Sequence, residues 1–166
     1  AGNVDRGQVG QMMLEYVPEP DPAIRDRMLQ YLAVRSASLL DVAEDGRILV
    51  ATRFGETSQL HIVAQPGGAR RQVTFFDEPV SSAMFIRGAG GRQVVFRRDN
   101  GGNELFQYYR LDLDTGRSTL LTDGQARNQS AVLSDSGRSL AWAGTARNGR
   151  DFDIYIRPTT TDGEPR

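Results

Sequence analysis

The sequence predicts an all-β fold built of repeated four-stranded sheets, and two kinds of repetition support this. From residue 36 onward, short runs rich in valine, isoleucine, leucine and phenylalanine alternate with glycine turns. A Gly-Arg hairpin signal occurs three times, with the glycines 45 and then 46 residues apart, at Gly46-Arg47, Gly91-Arg92 and Gly137-Arg138. A strand repeat of about 40 to 50 residues is typical of one β-propeller blade. We therefore expect a partial propeller of about three blades, the third incomplete, after a short N-terminal helix.

Residues 1–35 are predicted to form an N-terminal arm and one helix. A short strand is expected at 12–17, and Asp21 can cap a helix that has Pro22 at its first position. Four apolar side chains then share one face at helical spacing, namely Ile24, Met28, Tyr31 and Leu32. We expect an amphipathic helix of about 12 residues whose apolar stripe packs against a neighbouring element.

Residues 36–166 are assigned to three blades, 36–79, 80–127 and 128–166. The periodicity places strands in the first blade at 37–42, 48–53, 59–63 and 71–74, in the second at 82–86, 93–98, 105–111 and 118–122, and in the third at 130–133, 140–144 and 152–157. Three residues meet identical residues 48 positions on, as Gln59 with Gln107, Gly68 with Gly116 and Thr74 with Thr122. Asp162-Gly163 resembles the turn before a fourth strand, so the chain is expected to stop inside a blade of a longer, truncated propeller.

Composition narrows the classes of function. Hydrophobic residues make up 39% of the chain and charged residues 25%, values typical of globular proteins. The net charge of −1, with basic and acidic residues interspersed, argues against nucleic acid as a partner. No apolar run approaches the roughly 18 residues that span a bilayer, so membrane insertion is not expected. The chain has no lysine and no cysteine, which excludes Schiff-base chemistry, disulfides and thiolate metal sites on it.

No catalytic or metal-binding constellation is predicted, and no cofactor. His61 is the only histidine, and the repeat aligns it with Tyr109 and Tyr155, which favours packing over general-base catalysis. No serine lies in a Gly-x-Ser-x-Gly elbow. The run 99–104 resembles a calcium loop only faintly, because it lacks alternate ligands and a distant glutamate, and we interpret it as a turn.

Polar variety is concentrated in one set of predicted loops. In a propeller the B–C and D–A connections emerge on one face, and here they carry Arg53, Glu56, Asp77, Glu78, Asp99, Asn103, Glu104, Asp123, Arg127, Arg147, Arg150 and Asp151. Such loops are suited to binding, although inter-blade ion pairs would explain the same residues. The candidate substrate-binding residues are Asp77, Glu78, Arg53, Asn103, Glu104, Arg127 and Arg150. Adjacent Asp77 and Glu78 could hold a cation or an amine, or shape the crossing at Pro79.

Four strings carry a resemblance to a known family: RSASLLDVAEDGR, TRFGETSQLHIVAQPGGARRQVTFFDEPV, GGNELFQYYRLDLDTGRSTLLTDGQARN and ARNGRDFDIYIRP. Between about residues 35 and 158 the chain resembles the N-terminal propeller of bacterial serine peptidases of the prolyl oligopeptidase family, in its dipeptidyl-peptidase and acylaminoacyl-peptidase branches. The family's Trp-Ser-Pro-Asp-Gly blade signature is degraded here, to residues 42–46 and 133–137. In that family the catalytic residues lie in an α/β-hydrolase domain, so none can be assigned to this chain.

The resemblance implies a non-catalytic propeller that gates and orients peptide substrates for a hydrolase domain of the parent chain. That hydrolase domain and a peptide are then the expected partners. The alternative is a TolB-like propeller, a protein-binding scaffold that shares the Asp-Gly-Arg hairpins and the Leu-Thr strand ends. A third interpretation is a chain that completes its ring by oligomerising. The first two favour the periplasm over the cytoplasm.

Overall fold

A computed structural model describes residues 6–9, 12–32, 36–80 and 82–160 of the chain. Besides a two-stranded N-terminal hairpin, it contains three antiparallel sheets of three or four consecutive strands, in which each strand pairs with the next along the chain. The first sheet contains β3 (Ala37–Val42), β4 (Ile48–Thr52), β5 (Gln59–Val63) and β6 (Arg70–Gln72). The second contains β7 (Ser82–Phe85), β8 (Gln93–Arg98), β9 (Gln107–Asp112) and β10 (Ser118–Leu120), and the third contains β11 (Asn128–Leu133), β12 (Ser139–Gly144) and β13 (Asp153–Pro158). This is the predicted all-β partial propeller.

The N-terminal elements differ from expectation in an additional strand at Arg6–Val9 and in the packing of the helix. A hairpin forms from β1 (Arg6–Val9) and β2 (Met12–Glu15), and α1 (Pro22–Leu32) begins where the capping signal predicts. The Ala23 amide donates to Asp21 Oδ1 at 2.8 Å. However, no residue of α1 is buried, and Met28 is 55% exposed. The expectation that the stripe packs against a neighbour is wrong within the described residues, because periodicity identifies an apolar face without supplying a partner for it.

The outermost strands end earlier than predicted, for a reason that repeats in two sheets. The Thr74 hydroxyl accepts from the Leu60 amide at 2.8 Å, and the Thr122 hydroxyl accepts from the Tyr108 amide at 3.2 Å. A side-chain oxygen thus replaces the backbone carbonyl that would continue the ladder. Strands β6 and β10 therefore stop before these threonines, while the identical threonines still fasten the chain to the third strand of each sheet.

The core consists of two apolar layers, one between each pair of adjacent sheets. The first layer includes Leu49 and Leu60 of the first sheet and Val94 and Phe96 of the second. The second layer includes Val95 of the second sheet and Trp142 of the third. Burying one such side chain stabilises the fold by roughly 1.5 to 3 kcal/mol. Because successive side chains point to opposite faces, the second sheet is covered on both sides.

Close backbone approach explains one of the recurring hairpin glycines. Gly137 has φ of +68° and lies against Arg87 in the hairpin of the second sheet, where a Cβ on Gly137 would meet the Arg87 carbonyl oxygen at 2.1 Å. Gly46 has φ of +86° but no neighbour within 4 Å of such a Cβ. The glycine repeat therefore combines a conformational requirement with a packing requirement at Gly137. The predicted turn Asp162-Gly163 lies outside the described residues.

No helix in the described ranges is long and apolar enough to cross a membrane.

Candidate functional site

The loops between the second and third strands, and those between sheets, lie together on one face of the molecule. We call this the loop face, and it comprises residues 53–58, 73–80, 99–106, 121–127 and 145–152. Consecutive antiparallel strands alternate in direction, so these connections leave the sheets at the same edge. The loop face contains all seven candidate binding residues from the sequence.

A glutamine at the start of the third strand holds the loop face together in the first two sheets. Gln59 Nε2 donates to the carbonyls of Phe76 at 2.8 Å and Glu78 at 3.0 Å, and its Oε1 accepts from the Phe76 amide at 3.2 Å. Gln107 Nε2 donates to the Ala126 carbonyl at 2.7 Å. The 48-residue identity of these glutamines thus reflects a repeated clamp on the loop that leads to the next sheet. The sequence repeat shows that the two glutamines correspond, but it does not show what they bind.

A cleft of about 460 Å³ opens on the loop face of the first sheet. Its lining residues come from the β4–β5 loop, from the β6–β7 loop and from the strands beside them, and they are Phe54, Gly55, Glu56, Thr57, Gln59, Gln72, Phe75, Phe76 and Asp77. We call it the first-sheet cleft. Phe75 is 78% exposed and Phe54 is 43% exposed. Glu56 and Asp77 are also exposed, and neither forms an ion pair with another described residue. The cleft therefore presents bare aromatic surface beside two unpaired carboxylates.

The two adjacent acids have different surroundings. Asp77 lines the cleft, whereas Glu78 connects the first sheet to the second. Glu78 Oε2 lies 3.3 Å from Arg98 NH1, and Glu78 Oε1 accepts from the Gly101 amide at 2.8 Å. The Gly101 hydrogen bond, helped by the charge of Arg98, holds the pKa of Glu78 below its ordinary value. Of the predicted acidic pair, Asp77 is thus the member that is available to a ligand in the cleft.

Arg98 is fixed by aromatic rings as well as by Glu78. Its guanidinium carbon lies 4.4 Å from the centroid of the Phe76 ring and 4.9 Å from that of Tyr109. Such contacts add about 0.5 to 2 kcal/mol each, more when they are desolvated. Phe76 lines the cleft, so a side chain of the second sheet, Arg98, holds this wall of the cleft in place.

Four of the remaining candidates are spread over the other loops. Asn103 and Glu104 are exposed in the β8–β9 loop, where Asn103 Oδ1 accepts from the Leu105 amide at 3.0 Å. Arg127 and Arg150 are exposed at the loops of the third sheet. None of these four lines the first-sheet cleft.

Arg53 is half-buried directly after β4, beside the cleft residue Phe54. The structure thus brings one candidate, Asp77, into the cleft and places Arg53 next to it in the chain. The main additions are Phe54 and Phe75. Sequence reasoning missed them because an aromatic residue next to a strand is usually part of the core.

His61 is part of the packing, as the repeat alignment predicts. Its ring is fully buried, and its centroid lies 5.0 Å from that of Phe54 in an edge-to-face contact. Its Nδ1 lies 3.0 Å from the Gln59 carbonyl, and burial lowers the pKa of His61 below its ordinary value. Tyr109 stacks on Phe96 in the same way that Tyr155 stacks on Trp142.

The run 99–104 forms a hydrogen-bonded turn in which Asp99 Oδ2 accepts from the Glu104 amide at 3.2 Å. In the described part of the chain no three histidine, aspartate or glutamate side chains are grouped to hold a metal ion. That the chain binds no metal ion and no cofactor stays a prediction.

Comparison with solved structures supports the fold. A protein of Agrobacterium tumefaciens assigned as TolB matches 74% of this chain with 20% identity and a TM-score of 0.57. TolB from Acinetobacter baumannii matches 98% of it with 13% identity and a TM-score of 0.52. The chain spans 42% and 41% of those two proteins. No protein-family model and no curated protein sequence matches the chain.

A further structural match is the tricorn protease, with 18% identity over 90% of this chain and a TM-score of 0.49. A similarity of that size carries no argument about function. The two TolB structures support a TolB-like propeller fold.

Proposed function

We propose that this chain is a binding segment of a β-propeller scaffold and that it holds extended peptides in the first-sheet cleft. The observation that carries the proposal is the bare ring of Phe75 beside the unpaired carboxylates of Glu56 and Asp77. A volume of about 460 Å³ falls in the range of small-ligand pockets, about 300 to 1,000 Å³, and so suits one or two side chains of a peptide. The TolB-like fold is compatible with a scaffold of this kind.

The lining of the cleft favours peptides that combine aromatic and basic side chains. An aromatic group can stack on Phe75, and a cation can contact both the ring face and the nearby carboxylates. The chain already uses such contacts internally, since Arg70 lies 4.6 Å from the ring centroid of Phe54. Acidic peptides would place like charges beside Glu56 and Asp77, which weakens binding.

Binding can be measured by fluorescence anisotropy with labelled octapeptides of alternating arginine and phenylalanine. A matched peptide with glutamate in place of arginine controls for charge. We expect the basic peptide to bind at least tenfold more tightly than the acidic one, and Phe75→Ala to weaken its binding by about tenfold, which corresponds to about 1.4 kcal/mol. Phe152→Ala is the matched control, because Phe152 is 43% exposed on the loop face of the third sheet.

Equal losses for Phe75→Ala and Phe152→Ala would remove the cleft from the proposal. Failure of both peptides to bind would contradict peptide binding as such.

A more specific function is a gating propeller of a serine peptidase. The resemblance of four long strings to the prolyl oligopeptidase family favours it. In this form of the proposal a hydrolase domain of the parent chain cleaves the peptide, and the loop-face residues orient the substrate, among them Asp77, Glu78, Arg53, Asn103, Glu104, Arg127 and Arg150. A periplasmic location accompanies both forms of the proposal.

Two observations separate the scaffold from the gating propeller. Sequence downstream of Arg166 in the parent gene should encode a Gly-x-Ser-x-Gly elbow followed by an aspartate and a histidine if the chain gates a peptidase. If the parent gene instead encodes a closed propeller without such a domain, the scaffold is the form of the proposal that is supported. The 166-residue chain alone is expected to hydrolyse peptides no faster than buffer does, and measurable cleavage would contradict both forms.

A further inference from the structure

Two Asn-Gly pairs lie in turns on the loop face, Asn100-Gly101 between β8 and β9 and Asn148-Gly149 between β12 and β13. An Asn-Gly pair can react internally, because glycine has no side chain to keep its backbone nitrogen away from the amide carbon of the asparagine. Both asparagines are exposed, so exposure does not separate them. What differs is how firmly the fold holds each asparagine side chain.

The side chain of Asn148 is fixed by three hydrogen bonds. Its Nδ2 donates to Asp151 Oδ2 at 2.8 Å. Its Oδ1 accepts from the backbone amides of Arg150 at 3.0 Å and Asp151 at 2.9 Å. Asparagine side chains commonly close turns in this way. The amide carbon of Asn148 therefore cannot turn toward the Gly149 nitrogen unless these contacts break.

The side chain of Asn100 has no hydrogen-bond partner among the described residues, and only its backbone amide is bonded, to Asn103 Oδ1 at 3.4 Å. The other asparagines in the described ranges are held by their side chains. Asn103 Oδ1 also accepts from the Leu105 amide at 3.0 Å, and buried Asn128 donates to the Ala126 carbonyl at 2.9 Å. Within the described ranges, Asn100 is thus the asparagine whose side chain is free to approach the nitrogen that follows it.

The two glycine nitrogens do not account for a difference between the pairs, because both are hydrogen-bonded. Gly101 donates to Glu78 Oε1 at 2.8 Å, and Gly149 donates to the Thr145 carbonyl at 2.7 Å. Each nitrogen must give up one hydrogen bond before it can attack. The asparagine side chains therefore decide which pair reacts.

We propose that Asn100 deamidates spontaneously, that Asn148 is protected, and that the conversion of Asn100 weakens the connection between the first and second sheets. The Gly101 nitrogen forms a bond to the amide carbon of Asn100. The bond from that carbon to Nδ2 breaks, and Nδ2 leaves as ammonia with the proton from Gly101. Water then opens the cyclic imide at either carbonyl, which gives aspartate or isoaspartate. The net change is hydrolysis of an amide, without oxidation or reduction.

The position of Asn100 gives this conversion a structural consequence. In isoaspartate the chain runs through the side-chain carbon, which adds one backbone atom before Gly101. Glu78 of the first sheet accepts from the Gly101 amide and pairs with Arg98 of the second. The product shifts this amide and places a new negative charge next to it, which repels the Glu78 carboxylate. Both changes weaken the contact between the two sheets.

Incubation of the folded chain in neutral buffer, followed by peptide mass spectrometry, tests the proposal. Chymotrypsin cleaves after aromatic residues and so places Asn100 and Asn148 on separate peptides, 97–106 and 143–152. Water enriched in heavy oxygen labels only the molecules that hydrolyse during the incubation. We expect Asn100 to convert at least about tenfold faster than Asn148, which corresponds to about 1.4 kcal/mol. In urea the two rates should become similar, because the fold no longer holds Asn148.

Asn100→Gln is the matched control. Glutamine would have to close a larger ring and reacts more slowly, and the side chain that it replaces has no hydrogen bond to lose among the described residues. The label should disappear from peptide 97–106, which would exclude Asn103 as its source. After the same incubation, the urea midpoint should be lower in the wild type and unchanged in Asn100→Gln.

Three results would overturn the proposal. Asn148 could convert as fast as Asn100 in the folded chain, so that the fold would not select between the pairs. Neither asparagine could convert until urea is added, which would show that the bond from Gly101 to Glu78 is itself protective. The wild type could convert at Asn100 and keep its urea midpoint, which would contradict the weakened connection between the sheets.

Discussion

Replacing Gly137 by alanine tests whether the hairpin glycines hold adjacent sheets together. Any alanine at φ of +68° adopts a left-handed conformation, which costs about 1 to 2 kcal/mol. At Gly137 the new methyl group would also lie 2.1 Å from the Arg87 carbonyl oxygen and 2.7 Å from the Arg87 nitrogen. Backbone atoms cannot rotate away, so the two hairpins must separate.

Gly46→Ala is the matched control for this substitution. Gly46 occupies the corresponding turn of the first sheet with φ of +86°, and nothing lies within 4 Å of the added carbon. It should lose only the conformational cost. Forcing extra atoms into a packed contact costs about 1 to 3 kcal/mol more. We therefore expect Gly137→Ala to lower the free energy of unfolding by about 2 to 5 kcal/mol, against about 1 to 2 kcal/mol for Gly46→Ala.

Urea unfolding followed by tryptophan fluorescence measures both changes. Trp142 is the only tryptophan, and it is 3% exposed in the layer between the second and third sheets, so it reports on the affected interface. Protein concentration must be held constant, because association would shift the midpoint. Equal losses for the two variants would refute the conclusion that Gly137 is required by contact between sheets.

Three further predictions concern buried or half-buried polar groups. Gln107→Leu should lower the free energy of unfolding by about 2 to 4 kcal/mol in urea titrations, because it removes the acceptor of the Thr122 hydroxyl and of the Gly124 amide. A change below about 0.5 kcal/mol would contradict the clamp. Glu78→Gln should destabilise the chain at neutral pH. Because folding lowers the pKa of Glu78, its carboxylate stabilises the folded chain above pH 4.5, its ordinary pKa. This stabilisation is lost as the pH falls through the pKa of the folded state. The urea midpoints of variant and wild type should therefore converge in acid. The pKa of buried His61 is also lowered, so as the pH drops below 6.5 the unfolded chain takes up a proton before the folded chain does, and stability should fall. His61→Tyr introduces the residue that the second and third sheets have at this position. It should remove this pH dependence from thermal melts.

Repetition made most of the sheet architecture predictable. The turns at Gly46, Gly91 and Gly137 separate strands whose starts lie within two residues of those observed. The ends of the outer strands were wrong because the hydroxyls of Thr74 and Thr122 take over the hydrogen bonding there. No propensity scale represents a side chain that replaces a backbone partner.

The candidate site was less predictable than the fold. Loop topology placed Asp77 on the correct face, but the separation of Asp77 from Glu78 depends on Gly101 and Arg98, which lie more than 19 residues further along the chain. Contacts at that distance follow from the stacking of two sheets. The exposed ring of Phe75 likewise has no local signal, because exposure is decided by what the neighbouring loops leave uncovered.

Two contacts fix the loop that bears Phe75 and Asp77. Gln59 binds the backbone carbonyls of Phe76 and Glu78, and the Glu78 carboxylate pairs with Arg98. A ligand therefore contacts a cleft wall that is already ordered before binding. The loop loses little conformational entropy on binding. Selectivity will therefore come from steric and electrostatic complementarity rather than from rearrangement of the loop.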